Sequence, residues 1–133
     1  MANQQIKIQR FEDLKEWQKA REIIKMIYLA TDKSAFRKDW ALTTQMRRAA
    51  ISMQSNIAEG FERARHREYV QFLTIAKASA AELRSQLYTA LDLAYLDKTD
   101  FDAIYKELVY LSRMLNRHIS YLKDYGKTEK AIR

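Results

Sequence analysis

No proline interrupts this chain, and it carries only two glycines, Gly60 and Gly126. Proline breaks helices and glycine weakens their interiors, so their near absence favours long uninterrupted helices. What remains is rich in Ala, Leu, Lys, Arg, Glu and Gln, the composition of an all-α protein. A length of 133 residues fits one domain that can bury a core without cross-links. Cysteine is absent, which excludes disulfides, thiolate catalysis and Cys-based zinc or iron–sulfur sites. The N-terminal MANQQIKIQR lacks the apolar segment of a secretory signal, and no stretch reaches the roughly 18 apolar residues of a membrane span. A soluble, cytoplasmic protein is expected, with no membrane partner.

Apolar residues recur at helical spacing in four blocks. The first helix is expected over about 13–31, with Asp13 as its cap, Glu16 completing a capping box, and Leu14, Trp17, Ile24, Ile27 and Tyr28 as its apolar stripe. Residues 1–12 form an N-terminal arm, and TDKSAFRKD, Thr31 to Asp39, reads as the longest internal loop. Asp39 caps a second helix over about 40–63, whose inward residues are Leu42, Met46, Ala49, Met53 and Ile57 and whose last turn bends or frays at Gly60. A short connection leads to a third helix over about 66–96, with a seam of Tyr69, Phe72, Leu73, Ala76, Ala80, Leu83, Leu87, Ala90 and Leu91. Thr99 and Asp102 form a second capping box for a fourth helix over about 100–125, which stops before Gly126. The remainder, 126–133, is expected to be a disordered basic tail. Long helices joined by short turns pack most readily as an antiparallel up-down-up-down four-helix bundle over 13–125.

One segment is unusual within this pattern. In QMRRAAISMQSNIAEG, Gln45 to Gly60, the polar residues Gln45, Arg48, Ser52, Asn56 and Glu59 fall three or four apart and share one face beside a packed seam. Polar groups there need partners. Ser79, Glu82 and Gln86 of the third helix have the same spacing, and a hairpin hinged near Ala64 brings residue 48 level with residue 82. Arg48 and Glu82 are the expected ion pair of a structural polar network that fixes helix register, with Ser52, Asn56 and Ser79 nearby. A contact of Arg48 and Asn56 with a ligand is the functional alternative.

Enzymatic constellations are missing. A di-iron bundle needs two Glu-x-x-His motifs, whereas His66 and His118 are the only histidines and neither has the required carboxylate. His118 reads as a core or interface histidine with a satisfied ring. Ser52, Ser55, Ser79 and Ser85 lie within helices with no neighbouring histidine, and there is no Gly-rich phosphate loop. A non-enzyme without metal or cofactor is the expectation.

The formal charge of +7 and pI near 9.6 instead suggest an acidic partner, of which nucleic acid is the commonest. Arg63, Arg65, His66 and Arg67 crowd the start of the third helix, where the macrodipole disfavours cations, so helix stability does not explain them. Arg47, Lys77, Arg84, Arg113, Arg117 and Lys123 add charge along helix faces, and Lys127, Lys130 and Arg133 lie in the tail. The bland alternative is a solvated face that maintains solubility. Tyr88, Tyr95, Tyr105, Tyr110 and Tyr121 are more than one small core can hide and favour a protein interface, with base stacking as the weaker alternative.

Phe11-Glu12-Asp13-Leu14 with Trp17 and Ala20 opens a pattern that continues through Leu42, Gln45, Arg48-Ala49, Ser52 and Asn56-Ile57-Ala58-Glu59-Gly60. It runs on through Glu68-Tyr69, Phe72-Leu73, Ala76, Ser79, Glu82-Leu83 and Gln86-Leu87. This order resembles the four-helix-bundle proteins encoded by intervening sequences in bacterial 23S ribosomal RNA genes, over nearly the whole chain from Phe11 to about Lys123. Arg65 and Ala78 depart from the serine and glycine of the family pattern. The resemblance implies an antiparallel four-helix bundle assembled as a ring-like homopentamer. More distantly the chain is similar to the accessory protein of diversity-generating retroelements, which works with a reverse transcriptase and nucleic acid. Neither relationship implies a catalytic residue. The function expected is an oligomeric bundle that binds nucleic acid, structured RNA above DNA, through basic surfaces. The alternative is a protein–protein adaptor, for example for a reverse transcriptase.

Overall fold

The computed structural model describes residues 7–132, with side chains described as far as residue 126. It is all-helical: a 3-10 turn, Phe11–Asp13, precedes α1 (Lys15–Thr31), α2 (Ser34–Lys38), α3 (Trp40–Phe61), α4 (His66–Asp92) and α5 (Lys98–Ile132), with no strand among the described residues. The four long helices enclose one core, α1 and α4 each packing against both α3 and α5. Ile23, Ile27, Met46, Met53, Ile57, Leu73, Leu83, Leu87, Leu108, Leu111 and Leu115 are fully buried there. Each such side chain contributes about 1.5–3 kcal/mol relative to exposure, so the apolar stripes rather than helix propensity hold the fold. No described helix is long and apolar enough to cross a membrane.

The helix starts differ from expectation in an instructive way. Asp13 does not cap α1; its carboxylate accepts the amides of Gln9 and Arg10 at 3.0 and 3.1 Å and closes the preceding 3-10 turn. Those two amides, with the Arg10 charge, hold the Asp13 carboxyl below its ordinary range. Glu16 does not reach back either, because it is buried against α5. Towards the other end of α1, Tyr28 is exposed, and Ile23, absent from the expected stripe, is fully buried in mid-helix. Asp39 caps α3 as its sequence position requires, accepting the Leu42 amide at 3.1 Å. For α5 the cap is Asp97, which accepts the Asp100 amide at 2.8 Å, and not the Thr99–Asp102 pair.

The expected loop over 31–39 contains α2, because Phe36 is 1 % exposed and stacks on Tyr95 with centroids 5.2 Å apart. Tyr95 also donates its hydroxyl hydrogen to Asp39 at 3.0 Å, so one aromatic ties this corner together. Helix α4 ends at Asp92 rather than 96. Ala94 adopts φ of 61°, and the amides of Ala94 and Tyr95 return to the carbonyls of Leu91 and Ala90. This is a left-handed helix stop, here with alanine where glycine is usual.

Both glycines act otherwise than expected. Gly60 is buried inside α3, and a Cβ there would lie 2.9 Å from both Phe72 Cβ and Tyr69 Cδ1. It permits the closest approach of α3 and α4 and does not fray the helix. Gly126 has no positive φ, and α5 continues through it to Ile132. The arm over 1–12 falls partly on residues 1–6, and the side chains of the tail beyond 126 likewise lie outside the described residues.

Candidate nucleic-acid interface

The turn from α3 to α4 gathers Arg63, Arg65, His66 and Arg67. Arg65 is the residue before α4, in extended conformation (φ −104°, ψ 132°) and without a side-chain cap bond to the helix. Arg63, Arg65 and Arg67 are exposed, and the Arg63 guanidinium carbon sits over Phe72, 4.6 Å from the ring centroid. Arg63 also borders an open cleft with Phe11, Ala58, Glu59 and Glu62. A guanidinium stacked on a ring keeps its edge donors available to an anion. No ion pair between described residues involves an arginine; those present use Lys19, Lys33, Lys98 and His118.

The fold brings α5 to this turn. His66, half-buried, meets the ring of Tyr125 edge-on at 4.7 Å, and Tyr125 lies 6.4 Å from Tyr121. Arg117 is exposed one turn before Tyr121 on the same face. Beneath this surface sits a contact that spacing rules cannot find, because its members are 102 residues apart: His118 Nδ1 pairs with the buried Glu16 carboxylate. His118 thus has a satisfied ring, and it also packs edge-on to Tyr69 at 5.0 Å. The Tyr69 hydroxyl is buried without a hydrogen-bond partner. Burial, with the nearby Glu16 charge, pushes its pKa well above the ordinary tyrosine range. Among the described residues no cluster of three or more His, Asp and Glu side chains is arranged to hold a metal ion.

The remaining cations expected from sequence are scattered. Arg113 and Arg117 are exposed on α5, and Lys77 is exposed on α4. Arg47 is turned inward to its own fold: its Nε donates to the Thr31 hydroxyl at 3.0 Å and its guanidinium covers Tyr28 at 4.5 Å. Arg84 is half-buried, with a buried Nε lacking a partner. These two are poorly placed to track phosphates, whereas Arg65, Arg67, Arg113 and Arg117 are open to solvent.

The polar face of α3 divides into two parts. Ser52 and Ser79 share a hydrogen bond of 2.8 Å across α3 and α4, and the Asn56 amide donates to the Ser52 carbonyl at 2.8 Å and hydroxyl at 3.0 Å. These are the residues expected beside the Arg48–Glu82 pair. Arg48 and Glu82, however, are both exposed and form no ion pair, and Gln45 and Glu59 also face solvent. Helical spacing placed them on one face correctly, but the small Ser52 and Ser79 take the inner positions and leave the long charged groups in water. Gln86 is half-buried, with its side-chain oxygen unpartnered.

Comparison with known proteins agrees with this architecture. The fold is similar to the crystal structure of a protein of unknown function from the S23 ribosomal protein family of Bacteroides thetaiotaomicron, with a TM-score of 0.73 and 19% sequence identity over 79% of this chain and 95% of that one. At that identity the likeness concerns the fold. No curated protein matches. The profile of the 23S rRNA-intervening sequence protein family matches residues 12–117, which takes in α1 to α4, the arginine turn and α5 as far as Arg117. The chain belongs to the 23S rRNA-intervening sequence protein family.

Proposed function

We propose that this protein is a non-enzymatic, oligomeric helical bundle that binds structured RNA through basic surfaces centred on the α3–α4 turn. The observation that carries this reading is the arginine cluster at the start of α4, where cations oppose the helix dipole and outnumber Glu62 and Glu68 without forming an ion pair among the described residues. A phosphate backbone supplies the missing charge. The RNA named in the family description is consistent with this choice of ligand.

The four long helices are read as an antiparallel up-down-up-down bundle. Ser52 against Ser79, Tyr69 against His118, and Lys19 against Glu107 with Glu16 against His118 support opposite directions for neighbouring helices. Assembly is read as a ring-like homopentamer. Thr74, Ala78, Ala81 and Ser85 are exposed on α4 at helical spacing, an uncharged stripe of small side chains that allows close approach of another subunit. Repetition of a modest basic surface around a ring raises avidity without a strong single site.

An adaptor for a protein such as a reverse transcriptase is the second reading. It is favoured by Trp40, which is 77 % exposed at the start of α3. Filter binding to ribosomal RNA fragments at two salt concentrations separates the two, since RNA binding weakens steeply with salt and an adaptor retains no RNA at either. Light scattering tests the ring: a monomer at micromolar concentration removes both the pentamer and its avidity.

A further inference from the structure

Helix α5 presents a second pattern that charge alone does not explain. Tyr110, Arg113, Arg117, Tyr121 and Tyr125 recur three or four residues apart and are all exposed, so a pair of arginines lies between one tyrosine and a pair of tyrosines along one outward face for about 22 Å. Tyr121 and Tyr125 are 63 % and 46 % exposed. A solvated face serving only solubility carries charge at such positions, and large exposed aromatics mark a surface made for contact. The row does not end on α5. Tyr121, Tyr125 and His66 follow one another at 6.4 and 4.7 Å, which delivers three aromatic rings to the edge of the Arg65–Arg67 turn.

We infer that Tyr121, Tyr125 and His66 form a stacking platform for unpaired bases of an RNA loop or bulge, with Arg117 on one side and Arg65 and Arg67 on the other holding the adjoining phosphates. This rests on the RNA reading above and specifies the class of RNA. A duplex keeps its bases stacked inside and offers no open base face to a tyrosine, whereas unpaired nucleotides present bases to a ring cluster while their phosphates reach the arginines that border it. Charge points the same way. Across residues 62–68 three arginines stand against two glutamates, Glu62 and Glu68, so the turn is only modestly positive. Phosphate attraction there is correspondingly limited, and stacking supplies the larger share of a useful affinity.

The test uses the full chain and one labelled RNA hairpin with an unpaired loop, compared by fluorescence anisotropy with the same strand paired to its full complement. The wild type is expected to prefer the loop form. Tyr121→Ala with Tyr125→Ala is expected to weaken loop binding about 10- to 100-fold, while Tyr121→Phe with Tyr125→Phe retains it, because a phenyl face stacks as well. Unchanged loop binding by the alanine pair, with weakened binding by Arg65→Ala and Arg67→Ala, overturns the platform and leaves the RNA reading standing. Absence of binding to either RNA by the wild type overturns both. A fall in light-scattering mass of the alanine pair with RNA affinity intact assigns the row to a subunit contact and equally overturns the platform. Thermal melts by circular dichroism keep a folding defect apart, since both tyrosines are exposed and the phenylalanine pair reports on the same positions.

Discussion

At the scale of single residues, the contact between Glu16 and His118 joins the first helix to the last beneath the candidate interface. Both side chains are largely withdrawn from water, so removing one leaves the other short of its partner. His118→Ala is expected to lower stability by about 2–3 kcal/mol in urea denaturation; a loss below about 0.5 kcal/mol contradicts a structural role. Tyr69 beside it behaves in the opposite sense. Its hydroxyl is buried and unpartnered, so Tyr69→Phe is expected to be neutral or to raise stability by up to about 1 kcal/mol. The pH dependence follows from burial, which raises the Tyr69 pKa above its ordinary 10.0. The folded state then keeps a proton that the unfolded state releases. The associated stability is intact below that ordinary value and is lost as pH rises through the raised one. Tyr69→Phe should flatten this alkaline loss; an unchanged alkaline profile would assign the loss to other groups.

At the scale of elements, the two glycines and one alanine make contrasting cases. Gly60→Ala forces a Cβ to 2.9 Å from Phe72 and Tyr69, and the overpacking outweighs the better helix propensity, for an expected net loss of about 1–2 kcal/mol. Gly126→Ala meets nothing within 4 Å and should be neutral or stabilising by up to about 1 kcal/mol. Ala94 sits at φ of 61°, so Ala94→Gly should stabilise by up to about 1 kcal/mol despite the flexibility that glycine adds to the unfolded chain. Thermal melts of the three variants give the order directly. A stabilised Gly60→Ala or a destabilised Ala94→Gly contradicts the account. Helix existence and the core stripes were legible in the sequence because apolar periodicity is local. Matched spacing on two helices brought Ser52 and Ser79 together, but the Arg48–Glu82 ion pair expected beside them does not form. Helix ends were less legible: Asp13, Glu16 and Asp102 have capping positions in sequence, but tertiary contacts and the neighbouring Asp97 claimed those roles. Phe36 gave α2 no periodic signal, since a five-residue helix offers a single buried residue.

At the scale of the whole molecule, the candidate interface is assembled from parts that no local pattern connects. The arginine turn was visible as a charge run, but its approach to Tyr121 and Tyr125 depends on α5 running the length of the core. Arg47 shows the converse, a cation counted for the surface that is turned onto Tyr28 and Thr31 by packing. Net charge alone therefore overstates the proposed surface, which rests on the exposed arginines that form no ion pair among the described residues. The most direct measure of the central claim is the slope of log affinity against log salt concentration for a ribosomal RNA fragment, for wild type and for Arg65→Ala with Arg67→Ala. The account expects a negative wild-type slope that becomes shallower by about 1.4 in the variant, near 0.7 for each lost phosphate contact on single strands. Equal slopes for the two proteins, or RNA binding that ignores salt, would contradict it.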